Sequence, residues 1–164
     1  EIGSGLVGSE MCIRDSSKYM RDTRQALKDF DDGKDSMLID DMVNMNIMLT
    51  GMVSDLSTGG KQLAVAHNFY DAVCCMYKDV RRKYLHGEIV AMALPLQLAV
   101  NGSPEAEIEE LKAFLREVGI PVSIREAGVP QDGLEELITY VHRVTIPDDM
   151  ELLEQIRDGF KYIM

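Results

Sequence analysis

The chain has 164 residues, 46% of them hydrophobic and 27% charged, enough for one globular domain with a real core and too apolar for a wholly disordered chain. Its net charge of −11 argues against nucleic acid and against anionic membrane surfaces as partners. No apolar run approaches the ~20 residues of a membrane span, no secretory signal opens the chain, and the three cysteines (Cys12, Cys74, Cys75) form no disulfide framework, which together fit a reducing, cytoplasmic setting.

Glu1 to Ser16 reads EIGSGLVGSEMCIRDS, with neither helical nor strand periodicity. It resembles translated adapter sequence and is set apart from fold reasoning; the alternative is a Gly/Ser-rich linker. Residues 17–164 read as almost wholly helical. Tyr19 to Phe30 is a polar helix with a thin apolar stripe of Met20, Leu27 and Phe30, followed by a loop over Asp31 to Asp35. Met37 to Leu56 is apolar on several sides, which predicts a central helix. Ser57 to Gly60 breaks it; an anion on the Gly59–Gly60 backbone is the sharper reading and a plain helix break the simpler one.

Lys61 to Tyr77 is the next predicted helix, with Cys74 and Cys75 read as packing residues. Lys78 to Lys83 reads as a basic loop. Gly87 to Val100 is a buried helix crossed by Pro95, where a kink is expected. Ser103 is the expected N-cap of the following helix, with Pro104 at its first position and Gly119 as its stop. Ile120 to Ile124 is an extended connector. Two further helices follow, over Gln131 to His142 and Asp148 to Met164. The fold class is therefore all-α, a helical bundle. Eleven methionines invite a groove reading, but Met37, Met42, Met45, Met48 and Met52 lie at mixed helical spacings and read as core filler.

Chemistry is carried by few residues. His67 lies in the small, apolar run Leu63–Ala64–Val65–Ala66, and His86 in Tyr84–Leu85–His86–Gly87–Glu88. Neutral imidazoles in such surroundings suit zinc or iron(II). Antiparallel helices joined through 78–83 would bring both rings to one point. Spacing alone is weak support: nineteen positions separate them, unlike any compact metal motif. A single histidine in an apolar helix is more often a hydrogen-bonded core residue. Asp71, one turn after His67, is either a further ligand, a ring-orienting partner or a solvated charge, the last being the simplest. The chain lacks a GxGxxG, a P-loop and a GxSxG motif.

The ordered set Gly59 to His67, Leu85–His86–Gly87–Glu88–Ile89–Val90–Ala91 and Leu96–Gln97–Leu98 resembles the metal-binding region of the iron-containing alcohol dehydrogenase family, in its glycerol dehydrogenase-like branch. Glu107 to Val122 and Val141–His142 are similar to later segments of that family. The resemblance implies the C-terminal helical domain of a dehydroquinate synthase-like fold. It implies a Zn2+ or Fe2+ ion held by His67, His86 and an Asp expected upstream of this chain. It further implies a separate N-terminal nucleotide-binding domain, NAD(P) as cofactor and a small alcohol or polyol as substrate. The ion would polarise the alcohol, and hydride would pass to the nicotinamide. Residues 17–164 are then a partial C-terminal domain, expected to be inactive alone, with homo-oligomerisation left open. A 3-dehydroquinate synthase-like enzyme, a glycerol-1-phosphate dehydrogenase-like enzyme using Lys78 to Lys83 for phosphate, and a non-catalytic helical interaction domain are the alternatives. The last expects His67 and His86 in separate environments.

Overall fold

The computed structural model describes residues 20–56 and 64–164. Every regular element among them is helical, so the all-α class holds. The chain divides into two compact units, one up to residue 61 and one from residue 62.

The first unit contains helix α1, over 20–31, and α2, Met37–Leu56. They meet where Met20, Ala26 and Met42 are buried and the Thr23 hydroxyl donates to the Met42 sulfur at 3.4 Å. The expectation of a central α2 does not hold for its described side chains. Met37, Val43, Met45 and Ile47 are exposed, and Met42 alone among them is buried. An apolar stripe wider than one helix face can be covered only by more than one neighbour, and in its own unit α2 has α1. The break at Ser57 to Gly60 lies outside the described residues.

The second unit holds α3 (Val65–Met76), α4 (Lys78–Lys83), α5 (His86–Met92), α6 (Leu94–Val100) and α7 (Glu105–Glu117). The short α8 (Ile124–Ala127), α9 (Leu134–Thr145) and α10 (Met150–Gly159) complete it. Helix α3 lies along α9 and α5, and α10 packs on α6 and α9. The core joins Val65, Phe69, Ala72 and Val73 of α3 to Leu137 and Val141 of α9, Ile156 of α10 and Leu96 of α6. At its centre Phe69 meets Phe160 with ring centroids 6.2 Å apart.

Local chemistry sets the element ends. The predicted basic loop is instead α4: Val80 is buried and anchors the turn, while Arg81, Arg82 and Lys83 sit at its negative C-terminal end. The predicted kink at Pro95 is a full break between α5 and α6. Pro95 falls in the first turn of α6, where its missing N–H has no helical partner to lose. Ser103 is not an N-cap. Its N–H is spent on the Leu98 carbonyl at 2.9 Å, closing α6 over Gly102 at φ +75°, and extended Pro104 takes the cap position of α7. Gly119, at φ +78°, stops α7 as expected. The sequence places Pro147 at the opening of this helix, but Asp149 caps α10 by accepting from the Leu152 N–H at 2.9 Å and Pro147 lies outside it.

Gly159 lies where α10 passes close to α6. A Cβ there would lie 2.7 Å from Leu96 Cδ1 and 3.4 Å from Ala99 Cβ, and Leu96 is fully buried. Gly159→Ala is therefore expected to destabilise the protein by about 1–3 kcal/mol through overpacking, read as a lower urea midpoint at unchanged m. A rise in stability would show that α10 is not seated on α6 in this way.

Candidate metal-binding histidine pair

One face of α3 is buried through Val65, Phe69, Ala72 and Val73, which turns the opposite face outward. His67 and Tyr70, three residues apart, share that outer side. His67 sits in the first turn of α3 and is exposed; His86, the first residue of α5, is exposed as well. Their imidazole centroids are 5.7 Å apart, with the ring planes 49° to each other. The two histidines thus occupy one environment rather than two.

Neighbouring residues hold each ring-bearing turn. The Ala66 N–H, one of the donors a helix start leaves unpaired, donates to Gln97 Oε1 at 3.2 Å, and Gln97 Nε2 donates to Asn101 Oδ1 at 3.0 Å. Asn68 Nδ2 donates to Thr145 Oγ1 at 2.7 Å, pinning the first turn of α3 to the end of α9. On α5 the Leu85 N–H donates to Glu88 Oε2 at 2.7 Å, so the glutamate of His86–Gly87–Glu88 closes the turn that His86 opens. Among the described residues nothing lies within 4 Å of a Cβ built on Gly87, which leaves this edge of the pair open.

Tyr70 stands edge-on to His86 with centroids 4.2 Å apart and an interplanar angle of 81°. The Arg81 guanidinium lies 5.6 Å from the Tyr70 ring centroid. The Cys74 thiol at its hydroxyl, followed by burial, pushes the Tyr70 phenol above its ordinary range. Tyr70, Gln97, Asn68 and Glu88 were not singled out as site residues by sequence. A glutamine inside the apolar run Leu94 to Val100 was the available signal for one of them.

Asp71 is exposed on α3, and among the described residues no three His, Cys, Asp or Glu side chains converge as a metal-binding group. The third histidine, His142, is buried, with Nε2 2.7 Å from the Asp149 carbonyl oxygen, and belongs to the α9–α10 corner. Cys74 is half-buried and Cys75 exposed, so packing does not account for Cys75, whose sulfur lies 3.5 Å from the Tyr140 hydroxyl. Among the described residues no helix is long and apolar enough to cross a membrane.

Fold and site together define an all-helical unit that presents two imidazoles from the first turns of neighbouring helices. In sequence the chain is similar to a glycerol dehydrogenase of Thermotoga maritima, 33% identical over 82 residues, half of this chain. The match spans 21% of that relative's length. No family model and no solved structure matches the chain.

Gln97→Leu removes the acceptor of the Ala66 N–H and is expected to cost about 1 kcal/mol in chemical denaturation, with a shifted amide resonance at Ala66. An unmoved resonance would show that Gln97 does not hold this turn. Tyr77 supplies a pH signature. Burial, then the charges of Glu136 and Asp132, raise its phenol above the ordinary 10.0. The folded state therefore keeps a proton that the unfolded chain loses. Its contribution is full below pH 10.0 and is lost as pH climbs through the raised folded value. Tyr77→Phe is expected to flatten the alkaline limb of stability against pH; an identical limb in the variant would rule this out.

Proposed function

We propose that this chain is part of a metal-dependent, NAD(P)-linked alcohol or polyol dehydrogenase, with His67 and His86 as two ligands of a Zn2+ or Fe2+ ion. The observation that carries the reading is the pairing of the rings. Metal–nitrogen bonds of about 2.0–2.1 Å place the centroids of two imidazoles on one ion roughly 5–6 Å apart. The separation in this structure is 5.7 Å. The donor chemistry suits a borderline-soft ion, and the match to a glycerol dehydrogenase supports the same class.

The bound ion would supply Lewis acidity at a substrate hydroxyl, with a nicotinamide as hydride acceptor. The residues of this chain do the holding. Gln97 and Asn68 fix the turn that carries His67, and Glu88 fixes the turn that carries His86. Both rings stay exposed, so they can meet groups supplied from outside this unit. In this reading a carboxylate outside the 164 residues completes the donor set, a separate nucleotide-binding domain supplies the cofactor, and the small alcohol or polyol enters beside Gly87.

Calorimetric titration of the chain with Zn2+ or Co2+ tests the proposal. One ion per chain is expected, lost to below detection in His67→Ala and in His86→Ala, with His142→Ala binding as the parent does. Binding that survives both substitutions, or no binding by the parent, would rule the pair out as ligands.

A further inference from the structure

We propose that Tyr70 is a positioning residue for His86, an aromatic wall that holds the imidazole in the orientation it needs beside His67. The inference rests on the metal reading above and extends it to a residue outside the donor set. His86 lies closer to the Tyr70 ring, at 4.2 Å, than to its fellow histidine, at 5.7 Å. The edge-to-face geometry, at 81°, is the one the ring quadrupoles favour.

Tyr70 is itself fixed. It sits one turn beyond His67 on the same face of α3, its body is half-buried against the core and Arg81 covers its ring. A side chain exposed at the start of a helix would otherwise sample several rotamers, and binding an ion would have to freeze them. The tyrosine does that ordering in advance. It reaches both ring-bearing elements because α3 carries it next to His67 while α4 folds the chain back to bring His86 against it. The contact is made by the ring and not by the hydroxyl, so phenylalanine should serve and an aliphatic residue should not.

Three measurements on the 164-residue chain decide it. In the parent protein, magnetisation transfer between the ring protons of Tyr70 and His86 is expected, and its absence overturns the contact without any variant. In Tyr70→Leu the His86 ring resonance is expected to lose its ring-current displacement, and in Tyr70→Phe to keep it. Co2+ affinity is expected to fall about two- to tenfold in Tyr70→Leu and to stay at the parent value in Tyr70→Phe. A folded Tyr70→Leu with an unmoved His86 resonance, or with parental Co2+ affinity, overturns the proposal. A parent chain that binds no Co2+ overturns the metal reading, and the two resonance measurements still decide whether Tyr70 holds the ring.

Discussion

The burial of one face of α3 is the constraint on which the second unit depends. Val65, Phe69, Ala72 and Val73 are fully enclosed, and burying side chains of this size stabilises by about 1.5–3 kcal/mol each for the larger ones. That leaves a single rotation for the helix about its axis. With Phe69 turned inward to Phe160, His67 and Tyr70 must face outward, because the helical period separates them from the buried positions. The chemical face is thus the complement of the packing face, and neither can be changed alone.

Polar bonds refine what burial sets. Side chains act at several helix starts, among them Gln97 for α3, Glu88 for α5 and Asp149 for α10. Each supplies an acceptor to an N–H that a helix start leaves without a partner. In the first two cases the turn so closed carries one of the paired histidines. The stretch His86–Gly87–Glu88 therefore works as a unit, the first residue offering a ring, the second open space and the third the closure of its helix. Leu96–Gln97–Leu98 works similarly, with buried Leu96 packing on α10 while Gln97 reaches α3.

Much of this was legible in the sequence. Helical periodicity points to the all-α class, and the stop of α7 at Gly119 is written in local turn chemistry. The histidines were found by their apolar and glycine neighbours. What escaped was chemistry made between distant elements. The 78–83 segment looked like a loop because its charges outnumber its one apolar residue, yet buried Val80 is enough to seat a helical turn. The breadth of the α2 stripe was read as centrality, whereas its described side chains are mostly exposed. Nothing in the spacing of Tyr70 announces a contact with a residue sixteen positions on.

The topology divides the second unit by loop length. The imidazoles are brought together over nineteen positions, whereas the Phe69–Phe160 contact that secures α3 closes over ninety-one. Loop-closure entropy makes the longer closure more demanding by about 1.4 kcal/mol. The histidine pair is thus the local part of the architecture and its support the distant part. In folding terms, the closure between the ring-bearing turns is the less demanding one, and their rigid backing comes only when Phe160, just past α10, docks on Phe69.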